Sequence, residues 1–241
     1  MVDTVNPPVE VDASGLRARS GHQDVVDFLR REISLGRLRP GDRLPAERKL
    51  AVQLGVARET LRHALRILEE SGQIAVRRGA TGGPVVQQVE PDPEALRRDI
   101  VSREGSIIEL TEFRAVVEAA AAELAAERRD DDDLRRLDDA QEELDAAVTK
   151  AESRLADQAF HLAIAAAAGN GMLTTVIEDA RARMFESVDL MPFEFIKESS
   201  HGAHQRILDA VRDRDPDRAA AEMRQHLAIT RQEFERIIDS D

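Results

Sequence analysis

The sequence predicts a mainly α protein in two parts: an N-terminal winged helix-turn-helix with a small two-stranded wing, then an all-α helical bundle. Three observations predict it. The stretch from Leu44 to Gly83 reads as helix, tight turn, helix and a glycine-tipped pair of short strands. Val89-Glu90-Pro91-Asp92-Pro93 breaks every period and reads as a linker. Beyond it, apolar residues recur almost continuously at helical spacing, in segments rich in alanine.

Taken in order, residues 1–20 are polar and aperiodic and are expected to form a disordered arm; residues 21–88 form the winged domain, 89–93 the linker and 94–238 the helical domain. An amphipathic helix over about 23–35 carries Val25, Val26, Leu29 and Ile33 on one side. Pro40-Gly41 marks a turn. The next helix runs roughly Ala46 to Leu54, with Pro45 suited to its entry and Glu47 placed to complement the positive helix end. Gly55 permits the left-handed backbone that ends a helix sharply.

A second helix of about Arg58 to Glu70 buries Leu61, Ala64, Leu65 and Leu68, which leaves Arg58, Thr60 and Arg62 on or near its outward N-terminal face. Gly72 closes it, Ile74 and Val76 alternate against Val85 and Val86 as strands, and Arg77, Arg78 and Gly79 to Gly83 form the wing. In a helix-turn-helix the start of the second helix enters the major groove, where arginine reads guanine bidentately. Double-stranded DNA is therefore the expected partner. A solvated helix face also carries arginine by default, so the whole pattern bears the inference rather than any single side chain.

The net charge of −13 runs against DNA binding until it is divided. Residues 1–90 hold 14 Lys+Arg and 12 Asp+Glu, net +2; residues 91–241 hold 20 and 35, net −15. Residues 37–83 hold 10 and 5, net +5, so the positive charge sits on the reading head. There is no cysteine, which excludes a disulfide framework and a thiolate metal site. The absence of tryptophan and tyrosine argues against a stacking platform for single strands. With no apolar run of membrane length and no signal-peptide core, a cytoplasmic location without membrane contact is expected.

Helices are predicted at about 93–102, 106–129, 131–149, 153–168, 171–188, 197–213 and 216–238. The run Asp130 to Asp133 reads as an acidic helix start favoured by the dipole. Asp157 and His161 stand four apart, and Ile164 and Ala168 continue their face, so the pair points inward. His204 shares a stripe with Leu208 and Val211, and His226 follows Ala219 and Met223 and precedes Thr230 and Phe234. One carboxylate and three imidazoles converging from three helices suit a divalent ion such as Zn²⁺, Ni²⁺, Mn²⁺ or Fe²⁺. Packed, hydrogen-bonded core histidines are the alternative. Arg114 lies in the stripe of Leu110, Val117, Ala121 and Leu124, where it pairs with an internal glutamate or clamps a ligand carboxylate. His201 is either an outer partner of the cluster or a bystander.

The phrases GRLRPGDRLPAERKLAVQLGVARETLRHAL and LEESGQIAVRRGATGG resemble the DNA-binding domain of the GntR family of bacterial transcription regulators. The resemblance implies operator contacts from Arg48, Arg58, Thr60, Arg62 and Gly79, with Arg78 beside the last. Two departures stand out: Ala57 replaces the usual capping hydroxyl, and Glu59 stands where a small hydroxyl residue is common. The second half, through ELTEFRAVVEAAAAELAA, DQAFHLAIAAAAGN, HQRILDAV and AAAEMRQHL, resembles the all-helical FCD ligand-binding domain of the FadR-type subfamily. That resemblance implies Asp157, His161, His204 and His226 as metal ligands and a small organic acid effector held near Arg114. It further implies a homodimer on a pseudo-palindromic operator, in most relatives a repressor released by its ligand. A regulator that senses the metal itself and, more remotely, a helical metalloenzyme are the competing expectations.

Overall fold

The computed structural model describes residues 7–11, 21–77, 83–88, 94, 98, 104–184 and 193–239. The chain divides into two compact units, Met1–Glu90 and Pro91–Asp241.

The first unit is a winged helix-turn-helix. Helix α1 (His22–Ser34) packs on α3 (Arg58–Glu70), and α2 (Glu47–Gln53) meets α3 across the turn. Gly55 makes that turn with φ +65°, a conformation that costs a side-chain-bearing residue about 1–2 kcal/mol. The turn is closed by Val56 N–H donating to Ala51 O at 3.0 Å. No side chain caps α3 at Ala57. Strands β1 (Ile74–Arg77) and β2 (Gly83–Val86) pair antiparallel, Ile74 opposite Val86 and Arg77 opposite Gly83. A Cβ at Gly83 (φ +147°) would stand 3.4 Å from Leu44 O, so glycine allows the strand to lie against the chain entering α2. Leu29, Leu50, Leu61, Leu68, Ile74 and Val86 are buried together in the core.

Residues 7–11 of the expected arm are among the described residues. Val9 N–H donates to Arg43 O at 2.9 Å, and Val11 is buried in the winged-domain core. So short a segment has no period to read; two apolar side chains and one backbone bond hold it.

The second unit is all-helical among its described residues: α4 (Glu104–Arg128), α5 (Asp131–Ala146), α6 (Lys150–Ala167), α7 (Gly171–Met184), α8 (Phe193–Arg212) and α9 (Pro216–Asp239). Helix α4 touches α6, α7, α8 and α9. Its Ala119, Ala121, Ala122, Ala125 and Ala126 are fully buried, and side chains this small let neighbouring helices close in. The expected helix over 131–149 stops at Ala146, because Thr149 opens the next one. Thr149 Oγ1 accepts from Glu152 N–H (3.2 Å) and Glu152 Oε2 accepts from Thr149 N–H (3.0 Å). Asp130 and Asp133 form the same reciprocal cap on α5. The expected helix over 93–102 falls almost wholly outside the described residues.

Candidate metal centre and DNA-reading head

Helix α6 carries Asp157 and His161 one turn apart, α8 carries His204 and α9 carries His226. All three histidines are buried, and the four candidate donor atoms lie within 4.8 Å of one another. His161 Nε2 stands 3.2 Å from His226 Nε2, while Asp157 Oδ1 stands 3.4 Å from His204 Nε2 and 3.9 Å from His161 Nε2. Donors about 2.1 Å from one ion are spaced about 3.0 Å at octahedral and about 3.4 Å at tetrahedral angles, so the 3.2 and 3.4 Å separations fit the edges of a single coordination shell, and the 3.9 Å separation is longer than either edge. Neither ring nitrogen of His204 has a hydrogen-bond partner among the described residues, an orphaned state that buried imidazole rarely keeps. The ring of His204 is held flat against Phe160, with centroids 4.0 Å apart and planes 5° from parallel.

Around these four lies a buried charge network, of which the sequence pointed only to Arg114 and an internal glutamate. His161 Nδ1 faces Glu118 Oε2 at 2.5 Å, which leaves Nε2 toward the cluster. Arg114 Nε donates to Glu118 Oε1 at 2.6 Å. Arg181, on α7, donates from Nη2 to Asp157 Oδ2 and from Nε to Gln158 Oε1, each at 2.7 Å. Ser200 Oγ donates to Asp157 Oδ1 at 3.1 Å. A carboxylate behind a ligating histidine, as Glu118 stands behind His161, and donors behind a ligating carboxylate, as Arg181 and Ser200 stand behind Asp157, are what orient metal ligands.

The electrostatics favour ionised Glu118 and Asp157 beside neutral His161 and His226. Burial alone would raise the Glu118 carboxyl, but Arg114 and His161 override it and hold Glu118 well below the usual carboxylate range. Asp157 is held down in the same way, against its burial, by Arg181 and His204. Burial, with Arg181 adding, pushes His161 down to about 4, and burial with His204 and His161 lowers His226. Unprotonated nitrogens are the form a metal requires.

Of the two sequence-stated options for Arg114, the internal glutamate is present: its partner is Glu118, and Nη1 rests 2.9 Å from Met184 Sδ. His201 is exposed and faces Asp145 and Gln141, apart from the cluster. Glu118, Phe160, Arg181 and Ser200 are functional neighbours that the sequence pattern alone does not single out. The signals were there in two cases: Glu118 follows Arg114 by four residues on an inward stripe, and Arg181 sits between Ile177 and Met184 at helical spacing.

On the first unit, Arg48, Arg58 and Arg62 are exposed and Thr60 is half-buried at the start of α3. Arg58 Nη2 lies 3.8 Å from Glu47 Oε1, and Arg62 pairs with Glu59. Arg78 and Gly79 lie outside the described residues.

Two family models match the chain: the bacterial regulatory proteins of the gntR family over residues 22–81, and the FCD domain over residues 109–229. The chain is 30% identical to the HTH-type transcriptional regulator LutR of Bacillus subtilis (strain 168), over 81% of this chain and 92% of that one. It is 29% identical to the Uxu operon transcriptional regulator of Escherichia coli (strain K12), over 94% and 92%. The solved structure of E. coli McbR/YncC shares the fold, with a TM-score of 0.56 at 23% identity, covering 90% of this chain and 98% of that chain. With a DNA-binding helix-turn-helix in one unit and an effector-binding helical bundle in the other, the chain belongs to the GntR family of transcriptional regulators, in the FadR-type group that carries an FCD domain.

Proposed function

We propose that the protein is a homodimeric repressor whose operator affinity is set by a small carboxylate metabolite bound beside a divalent ion in the helical domain. The observation that carries this reading is the set of donor atoms on Asp157, His161, His204 and His226, spaced for one ion and turned toward one another. Charge supports the rest. Among the described residues of this network, Glu118 and Asp157 balance Arg114 and Arg181, and His161 and His226 are neutral. A divalent ion adds two positive charges to a buried site, and an anionic ligand offsets them. The ion would supply a Lewis-acidic contact for a carboxylate oxygen; Arg114 would stand beside it as a second point of hold.

In this reading two reading heads address successive major-groove faces, about 34 Å apart, of a pseudo-palindromic operator. Arg48, Arg58, Thr60 and Arg62, with Arg78 and Gly79 of the wing, make the contacts. The acid acts by binding one arrangement of the heads better than the other; without that difference it shifts nothing. The test is elemental analysis of the untagged protein, with thermal shift and operator binding followed against a panel of small carboxylates. About one ion per chain, with one acid that both stabilises the protein and changes operator affinity, supports the reading. No ion after reconstitution refutes it.

A second reading rests on the 3.2 Å approach of His161 Nε2 and His226 Nε2, two imidazole nitrogens close enough to ligate one ion together. The ion would then itself be the signal. Operator binding that tracks metal at constant acid concentration distinguishes it.

A further inference from the structure

We propose that Arg181 is a further anchor for the acid, beyond the ion and Arg114, donating its Nη1–H to the ligand carboxylate beside the metal cluster. The inference deepens the reading above and rests on it.

Helix α7 turns Arg181 inward between Ile177 and Met184, and the residue is 5% exposed. Two of its three nitrogens are committed: Nε to Gln158 Oε1 and Nη2 to Asp157 Oδ2. Nη1 is buried and has no hydrogen-bond partner among the described residues; Glu118 Oε2 stands 3.8 Å from it. A guanidinium is a rigid planar fork. Nη1 therefore cannot swing onto Glu118 without giving up the two bonds that fix the plane. A buried charged donor left unmade is costly, and native structures seldom retain one without an occupant for it.

Its position says what the occupant is. Asp157 offers Oδ2 to Arg181 and Oδ1 to the histidine cluster, so the guanidinium stands one carboxylate width from the candidate ion. An acid bound to the ion next to Asp157 brings an oxygen toward Nη1. Arg114 is less available, because its Nε is taken by Glu118 and its Nη1 lies against Met184 Sδ. The free fork position, the local positive excess on metal loading and the planar geometry together suit a carboxylate.

The experiment uses the full chain saturated with Zn²⁺, its metal content verified, as parent, Arg181→Lys and Arg181→Gln. Binding of acetate, L-lactate, pyruvate, succinate, L-malate and citrate is measured by calorimetry and thermal shift. Arg181→Lys keeps the charge beside Asp157 and Glu118, so the fold has a conservative safeguard. The expected result is about one ion per chain in all three proteins, with the acid that binds the parent weakened about 10- to 100-fold in the variants. Acid affinity within twofold of the parent would mean that Nη1 meets only water, and overturns the proposal. Variants that refuse Zn²⁺ at saturation show that Arg181 serves only to hold Asp157, which overturns it too. A parent that loads Zn²⁺ yet binds none of these acids removes the acid reading itself, and this inference with it.

Discussion

Glu118→Gln tests the buried charge network at its centre. The substitution keeps volume and shape and removes one charge. Glu118 faces Arg114 at 2.6 Å, His161 at 2.5 Å and Arg181 at 3.8 Å, in a pocket with almost no solvent exposure. Two guanidiniums would then share the single remaining carboxylate of Asp157. Breaking a buried pair from one side costs about 3–5 kcal/mol, because the surviving charge stays buried without its partner. For a unit of this size each kcal/mol lowers the melting temperature by about 2–4 °C, so a drop of about 6–20 °C is expected in metal-free protein. Metal affinity is expected to fall about 10- to 100-fold, since His161 loses the group that orients it. Scanning calorimetry on metal-free protein and competition titration with a chelator read the two effects separately. Replacing both members, Glu118→Leu with Arg114→Met, should recover much of the lost stability by removing the stranded charge as well. A single variant melting within 2 °C of the parent would show that the pairing does not exist in solution, and the argument would fail.

The remaining predictions concern other links of the chain from sequence to function. Arg58→Ala, at an exposed position, should leave melting unchanged while weakening binding to a duplex selected from random sequence by about 10- to 100-fold; unaltered affinity in fluorescence anisotropy would remove Arg58 from the reading surface. His204→Ala combined with His226→Ala should abolish bound metal, and full occupancy by elemental analysis would refute the ligand set. Thr149→Ala removes the hydroxyl that caps α6 and should cost about 1 kcal/mol, or about 2–4 °C; no shift would mean that Glu152 alone secures the helix start.

Much of this was legible in the sequence, for identifiable reasons. Helix α3 was readable over its full length because Leu61, Ala64, Leu65 and Leu68 keep a clean stripe between two glycine turns. The i,i+4 spacing of Asp157 and His161 disclosed one face of the cluster, and the apolar stripes around His204 and His226 disclosed the others. Spacing turned each of the three faces inward and so pointed to their convergence, but the separations between donors depend on how α6, α8 and α9 cross, which spacing does not give. Glu118 and Arg181 escaped for a related reason. A charged residue in a helix reads as solvated unless its stripe is unambiguous, and in α4 apolar residues surround it on nearly every side. The break between α5 and α6 was read about three residues late, because alanine and acidic residues on both sides favour helix and only the reciprocal cap of Thr149 with Glu152 sets the boundary.

The three helices that carry the histidine cluster have a consequence for the life of each molecule. Their donor residues span 157 to 226, so an ion held there would tie distant parts of the chain together like a staple applied after folding. An ion present at a hundred times its dissociation constant adds about 2.7 kcal/mol to stability. Copies made when the ion is scarce would open more often, and proteases remove open copies first. The abundance of the regulator would then follow the supply of metal even where its affinity for DNA does not.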